Sequence, residues 1–329
     1  MGCRRVKAVG LFSGGLDSVL AARLLMNQQI EVHALTLESP FFGSERGIRA
    51  GAVMGIPVEV RDVTDLICRL VEDPPHGHGK NLNPCLDCHA MMFREAGVFM
   101  EEMGADFLFS GEVLGQRPFS QNYQAMLQVA DLSGYGQYIV RPLSARLLPR
   151  TKPEEEGSVD REKLLDIQGR SRARQMALAY EWGIKEYASP AGGCCLTDPG
   201  FCGRLSDLLR HNRPLDRRAV RLLKYGRHFR LGERVKAIVG RKHSENQALE
   251  GLSIPEDVVL EVQTYPGPTV LVTGPADAGD VHRAAELAVR YSDAPSGEEA
   301  VLVRVVQRGE ETEISAGTAA DDVLERIRV

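Results

Sequence analysis

Ser13-Gly14-Gly15-Leu16-Asp17-Ser18 decides how this chain is read, because of what stands on either side of it. Before it runs the apolar stretch Val6-Lys7-Ala8-Val9-Gly10-Leu11-Phe12, and after it the helical pattern Val19-Leu20-Ala21-Ala22-Arg23-Leu24-Leu25. A buried strand therefore ends in a glycine turn that opens directly into a helix. Backbone N–H groups in such a turn point inward, and the helix N-terminus adds partial positive charge, so the turn favours phosphate. Gly14 and Gly15 let the backbone approach an anion with no Cβ in the way. Ser13 and Ser18 add hydroxyl donors, and Asp17 can hold Mg2+ through water. The plainer reading, small residues used only for tight packing, leaves the hydroxyls and the carboxylate without a purpose. The lysine-bearing G-x-x-x-x-G-K-[ST] loop occurs nowhere in the chain,.

Outward from this turn, strands and helices alternate. Glu31–Leu37 reads as a second strand, Glu45–Met54 as a helix closed by Gly55-Ile56-Pro57, Val58–Val63 as a third strand and Thr64 to about Val71 as a helix. A long helix follows Pro84 through Met103, then strands at Ala105–Gly111 and Tyr138–Leu143. Repeated βα units of this kind imply a doubly wound, mostly parallel α/β sheet, with ligands at the carboxyl ends of its strands. Arg150–Val159 reads as a polar loop, Arg161–Trp182 as a basic helical stretch and Pro190–Pro199 as a glycine- and cysteine-rich loop. From about Arg234 the pattern shifts to short strands (Val235–Val239, Val258–Val262, Thr269–Thr273, Ala300–Val306) with helices near Ala278–Tyr291 and Thr318–Arg328, a smaller C-terminal α+β domain. The expected organisation is residues 1–203, a basic helical linker over 204–233, and a small domain over 234–329.

With 329 residues, 43% hydrophobic and 26% charged, the chain has the composition of a globular protein with a sizeable core,. No apolar run reaches the roughly 18–20 residues that span a bilayer. Met1-Gly2-Cys3-Arg4-Arg5 leads straight into the first strand, and Val6 breaks the myristoylation pattern, so a cytoplasmic protein with no membrane association is expected,. The net charge of −5 hides an asymmetry: Arg204 to His243 carries 13 Lys/Arg against the acids Asp207, Asp216 and Glu233. That segment reads either as an electrostatic footprint for nucleic acid or as a solvated helical face backed by Leu205, Leu208, Leu209, Leu215, Val220, Leu222 and Leu223. The nucleic-acid reading puts Arg217, Arg218, Arg221, Lys224, Arg227, Arg241 and Lys242 in contact with RNA.

The seven cysteines, all within the first 202 residues, argue against a disulfide framework,. Asn83-Pro84-Cys85-Leu86-Asp87-Cys88-His89 starts the long helix, with Asn83 as N-cap and Pro84 at the first position. Cys85 and Cys88 share a face in the first turn, where the helix N-terminus lowers thiol pKa values. Gly192-Gly193-Cys194-Cys195 is a second thiol source. The residues admit c-type haem attachment at C-x-x-C-H, a four-cysteine zinc site at Cys85, Cys88, Cys194 and Cys195, a dithiol or persulfide route, a [4Fe–4S] cluster on three cysteines with one iron open, or simply buried thiols. Haem attachment conflicts with the expected compartment, and adjacent Cys194 and Cys195 strain a tetrahedral zinc site. Cys3, Cys68 and Cys202 read as structural, Trp182 as core, and His76 and His78 as exposed loop residues. Asp87 and Glu112 are candidates for proton transfer or Mg2+.

The S-G-G-x-D-S string at the end of a first strand resembles the PP-loop ATP pyrophosphatases, a HUP-like fold. Further along, Gly111-Glu112-Val113-Leu114-Gly115-Gln116 and Arg141-Pro142-Leu143 resemble the G-E-S-L-G-Q and R-P-L stretches of tRNA 4-thiouridine synthetases. Pro190–Cys195 matches that family's late cysteine segment, weakly favouring Cys195 over Cys194, and Asn83–Cys88 is similar to the N-P-x-x-x-C helix of the 2-thiouridylases. Val113 stands where the family motif has serine. The usual N-terminal RNA-binding module and a C-terminal rhodanese-like cysteine are not found, which turns the expectation towards sulfide delivered through a cluster. Val239-Gly240-Arg241 through Asn246 and Leu249 resembles NFACT-R-type modules, which are associated with RNA.

The resemblance implies an enzyme that adenylates a uridine carbonyl oxygen of tRNA with ATP and replaces it with sulfur. It implies ATP contacts at Phe12, Ser13, Gly14, Gly15, Asp17, Ser18, Leu37, Gly111 and Gln116, and catalytic roles for Asp17, Cys88 and Cys195. The cluster ligands would be Cys85, Cys88 and Cys195, with Cys194 the alternative. Partners would be tRNA and a sulfur donor, either free sulfide or a cysteine desulfurase system; a homodimer stays open. The competing reading is a PP-loop enzyme that adenylates a small molecule for sulfur or nitrogen transfer.

Overall fold

In the computed structural model, which describes residues 5–185, 187, 194–295, 297–298 and 300–329, the first apolar run forms β1 (Lys7–Leu11) at the centre of a parallel sheet. The sheet adds β2 (Glu31–Glu38), β3 (Val58–Asp62), β4 (Phe107–Ser110) and β5 (Ile139–Val140) in the order β3-β2-β1-β4-β5. β1 pairs in parallel with β2 on one side and β4 on the other, so the chain order reverses at β1. The crevice at such a reversal is where open α/β sheets bind ligands, and the Ser13–Ser18 turn lies there. Around the sheet run α1 (Leu16–Met26), α2 (Glu45–Met54), α3 (Thr64–Glu72), α4 (Cys85–Met103), α5 (Tyr123–Ser133), α6 (Lys152–Glu155) and α7 (Ala173–Glu181). α1 is buried along most of its length, through Val19, Leu20, Ala21, Ala22, Leu24 and Leu25, which explains why its sequence is apolar nearly all round,. Val113 is wholly buried in the same core, an environment that suits valine better than an unpaired hydroxyl,.

Three expectations change here. β5 stops at Val140 because Arg141 turns inward to an ion pair and Pro142 has no N–H to continue a ladder,. The stretch Arg161–Trp182 is not one helix: a single 3-10 turn at Arg161–Lys163 and α7 are separated by Gly169 at φ 86°. Asn83 does not cap α4 through its side chain; its Oδ1 accepts from Asn81 N, and its Nδ2 donates to Cys85 Sγ at 3.1 Å. Cys3 and Pro190–Gly193 lie outside the described residues, whereas Cys194 and Cys195 lie within them.

The chain divides into two compact units, 1–198 and 199–329. The second contains α8 (Pro199–His211), α9 (Arg217–Leu222), α10 (His243–Leu252), α11 (Ala278–Arg290) and α12 (Asp321–Ile327). Its strands β6 (Arg227–Arg230), β7 (Lys236–Val239), β8 (Val258–Val262), β9 (Val270–Thr273), β10 (Val301–Gln307) and β11 (Glu310–Ala316) form an antiparallel sheet ordered β11-β10-β8-β9-β7-β6. α11 packs Ala284, Ala285, Leu287 and Ala288 into the core with Phe229, Val258, Val270 and Val303. Residues 204–233 are part of this unit rather than a linker. Leu205, Leu208, Val220, Leu222, Leu223 and Phe229 are buried, and Asp207 on α8 ties Arg230 at 2.6 Å and Lys236 at 2.8 Å.

Candidate active site

β1 delivers the chain into the 13–18 turn, where Gly14 adopts φ 69° and a Cβ would sit 2.2 Å from the Arg46 carbonyl oxygen. Gly15 is the N-cap residue of α1, and Ser18 Oγ donates to its carbonyl at 2.8 Å. The first-turn N–H groups of α1 have no carbonyl one turn back within the helix, which leaves them for an anion. At the end of β4, Gly111 passes so close that a Cβ would lie 2.4 Å from Ser18 N, so β4 can only reach the turn as glycine.

These elements enclose a cavity of about 380 Å3. Of the residues expected to hold ATP, Phe12, Ser13, Gly15, Asp17, Ser18, Leu37, Gly111 and Gln116 line it. Gly14 does not; its contribution is the positive-φ turn. Leu35 and Leu37 from β2 supply an apolar wall, and Arg46, Arg117 and Arg172 add cationic groups that the motif reading missed. Asp17 Oδ2 accepts from Gln116 Nε2 at 3.0 Å and Arg172 Nη2 at 3.3 Å, while Asp17 Oδ1 is buried without a hydrogen-bond partner. A buried carboxylate oxygen without a donor suits a cation or its bound water, so the side chain present fits Mg2+.

Cys85 and Cys88 on the first turn of α4 line the same cavity, together with Cys194. Cys195 does not line it: its N–H donates to the Phe41 carbonyl at 3.3 Å, and a 3-10 turn starts at this residue. Of the two adjacent cysteines, Cys194 is the one that lines the cavity. Cys88 also departs from expectation. Burial, then the neighbouring Cys194, Cys85 and Asp87, push its thiol well above the ordinary range, outweighing the helix N-terminus,. Three thiols around one cavity are the donor number that a cluster with one open iron requires. As positioned, no three described His, Cys, Asp or Glu side chains stand in a metal-ligating group, so neither the Cys85, Cys88 and Cys195 set nor the set with Cys194 is assembled.

One wall of the cavity carries a buried charge network, with His89 and Glu112 among its lining residues. Glu112 accepts from His89 Nδ1 at 2.9 Å and Arg141 Nε at 2.8 Å. Arg141 also donates to the Met126 carbonyl at 3.1 Å and lies 5.6 Å from the Phe93 ring centroid. Burial raises the Glu112 carboxyl, but Arg141 and His89 more than offset this and hold it at about 2,. Glu112 is thus a fixed anion that orients His89, rather than a proton donor. The G-E and R-P-L stretches meet in this ion pair across 29 positions. Asp87 is likewise engaged, by the backbone N–H and Nδ1 of His76 at 3.1 and 2.6 Å.

In the second unit the basic side chains divide. Arg218 is held by Asp257 and the Leu252 carbonyl, Arg241 by Glu245, and Arg227 stacks over Tyr291 at 4.7 Å. Arg217, Arg221, Lys224 and Lys242 are exposed. Gly240 leaves room for Asn246, whose Oδ1 would lie 2.0 Å from a Cβ there, which accounts for the V-G-R and N positions occurring together. No helix among the described residues is long and apolar enough to cross a membrane.

Comparison with known proteins agrees with this division. Residues 4–146 match the family described as thiamine biosynthesis protein (ThiI), and residues 226–327 match the NFACT protein RNA binding domain. The chain is 28% identical over 160 residues to a tRNA-specific 2-thiouridylase MnmA of Methylobacterium nodulans, covering 43% of this chain and 42% of the relative. It is 26% identical over 198 residues to a probable tRNA sulfurtransferase of Oceanobacillus iheyensis, covering 57% and 42%. A solved 4-thiouridine synthetase–RNA complex with bound ATP is 25% identical, covering 46% of this chain and 40% of that one with a TM-score of 0.35. The chain thus spans less than half the length of these relatives. In order along the chain, residues 4–146 are thus similar to the ThiI family and residues 226–327 to the NFACT RNA binding domain.

Proposed function

We propose that this chain is an ATP-dependent, AMP-forming tRNA uridine sulfurtransferase. The observation that carries the proposal is the shared cavity: the Ser13–Ser18 turn forms one side of it, and Cys85, Cys88 and Cys194 another. ATP lies with its phosphates over the turn and the N-terminus of α1. A uridine carbonyl oxygen attacks the α-phosphorus, and pyrophosphate leaves. Sulfur presented from the cysteine side then attacks the ring carbon, and the C–O bond breaks as AMP departs with the oxygen. Adenylation converts a poor leaving group into a good one, which is why the exchange needs ATP. The relatives named for tRNA thiolation and the match to an RNA-binding domain support tRNA as the substrate.

Cys85, Cys88 and Cys194 are the thiols placed to present sulfur, either as a persulfide or as ligands of a [4Fe–4S] cluster. Such a cluster would supply an open iron for sulfide. The donor, free sulfide or a desulfurase system, follows from that choice. Anaerobic purification with iron, acid-labile sulfide and zinc analysis tests it. About four irons and four sulfides per chain, lost in C85S, C88S and C194S but kept in C195S, is the cluster result. Iron-free protein that carries a cyanolysable sulfur on one of these cysteines is the persulfide result. Sulfur transfer that survives all three substitutions overturns the assignment.

A further inference from the structure

The loop after β4 touches the cavity on both sides of a ring that it leaves in solvent. Gln116, Arg117 and Gln121 line the cavity, whereas Phe119 between them is 55% exposed. The loop is braced. Gly115 N donates to the Gln121 carbonyl, Gln121 N to the Arg117 carbonyl at 2.9 Å, and Asn122 Nδ2 to the Pro118 carbonyl at 2.7 Å. Asn122 then caps α5, its Oδ1 accepting from Ala125 N at 2.9 Å. Ala125, Met126, Val129 and Ala130 bury one face of that helix, and Tyr123 on its first turn stays 42% exposed. Single exposed apolar side chains are ordinary. What sets this stretch apart is the company the two rings keep. In a chain of net charge −5, no acidic residue stands between Glu112 and Asp131, and Arg117, Gln124 and Gln128 are exposed on the same loop and helix.

We propose that Phe119 and Tyr123 form a stacking platform for the unpaired nucleotides that flank the target uridine. The proposal rests on the tRNA reading of the cavity. A base whose carbonyl is to reach a phosphorus inside the cavity must leave its own stack, and its neighbours are then left unstacked at the mouth. Exposed aromatic rings accept such bases whatever their identity, and a guanidinium close by in the chain takes the phosphate that links them. A surface of rings, amides and one arginine, free of carboxylates, complements a single strand of RNA. The braced loop and the capped helix fix the rings in advance, so little order is lost when the strand arrives. Stacking adds affinity without neutralising phosphates, which separates this surface from the exposed cations of the second unit.

Filter binding of the full chain to unmodified tRNA over a salt series tests this in wild type, F119A/Y123A, F119W, F119L and V53A. Val53 is 64% exposed on α2 and does not line the cavity, so it controls for the loss of an exposed apolar side chain. F119A/Y123A is expected to bind about ten- to a hundredfold more weakly, with an unchanged slope of affinity against salt. F119W should bind at least as tightly as wild type, F119L should be weakened because it keeps the apolar bulk without the ring, and V53A should match wild type. The fluorescence that F119W adds to that of Trp182 should be quenched by a short single-stranded oligouridylate and not by a fully paired RNA duplex. Urea unfolding followed by Trp182 shows whether F119A/Y123A folds, and F119W keeps the test open if it does not. Unchanged tRNA affinity in F119A/Y123A, or wild-type affinity in F119L, overturns the platform, turns this face towards a protein partner and leaves tRNA as the substrate. Wild-type protein that binds no tRNA overturns both readings.

Discussion

Replacing Glu112 by Gln tests whether the buried network in the cavity wall is a fixed electrostatic frame. The substitution keeps the shape but removes the charge that faces Arg141 at 2.8 Å, and both side chains are less than a tenth exposed. Glu112 is held at about 2 against an ordinary 4.5. At about 1.36 kcal/mol per pKa unit, that shift corresponds to about 3 kcal/mol of stability, and breaking a buried pair by removing one partner costs about 3–5 kcal/mol. For a unit of this size, melting should fall by about 6–12 °C. Trp182, the sole tryptophan, packs on the core of the first unit, so its fluorescence reads that unit within the full chain. The pH dependence has a definite sign. A depressed folded pKa gives stability that is present above the unfolded value and lost as pH falls through the folded one. The gap between wild type and E112Q should therefore narrow between pH 4.5 and about 2. An apolar double variant, E112L/R141M, should recover much of the loss, because no buried charge is left unpaired. An E112Q protein that melts within about 2 °C of wild type, or a gap that persists at the acid end, would refute the reasoning.

C194S should abolish sulfur transfer while C195S retains most of it, as measured by thiouridine formed per AMP released; equal losses would return both residues to the site. In the second unit, R221A/K224A/K242A should weaken tRNA binding and flatten its salt dependence by about two to three logarithmic units per decade, measured by filter binding. R218A should instead act on stability through Asp257. Asp207 is raised by burial, but Arg230 and Lys236 more than offset this and hold it at about 2. D207N should thus destabilise the second unit at neutral pH, by hydrogen-exchange protection of β6 and β7, with the difference shrinking as pH drops from 3.8 towards 2,.

What could be read from the sequence was what is local. A strand, a glycine turn and a helix N-terminus are contiguous, so Ser13–Ser18 and its chemistry were legible from periodicity and residue type alone. Cys85 and Cys88 were legible as a pair for the same reason, being one helical turn apart. Cys194 and Cys195 were not separable, because adjacent residues differ in what they face only once the chain is folded: Cys194 lines the cavity and Cys195 does not. Arg172 was hidden because nothing near it in sequence marks it; only the packing of α7 brings it to Asp17. Arg218 looked available because its partner Asp257 lies 39 positions away. Glu245 sits four residues after Arg241, a helical ion-pair spacing that the sequence did offer,. β6 and β11 escaped notice because these outermost strands of the sheet, Arg-His-Phe-Arg and Glu-Glu-Thr-Glu-Ile-Ser-Ala, lack the apolar run that marks a central strand,.

The central claim is that ATP turnover and sulfur insertion are coupled on tRNA within one cavity. Anaerobic protein incubated with bulk unmodified tRNA, Mg2+, sulfide and ATP labelled at the α-phosphate, followed by nuclease digestion and nucleoside mass spectrometry, measures both products together. The account predicts thiouridine in the digested tRNA with an equal amount of AMP, and neither product when tRNA is omitted. AMP formed equally well without tRNA, with no thiouridine in the digest, would contradict it and favour a small-molecule substrate.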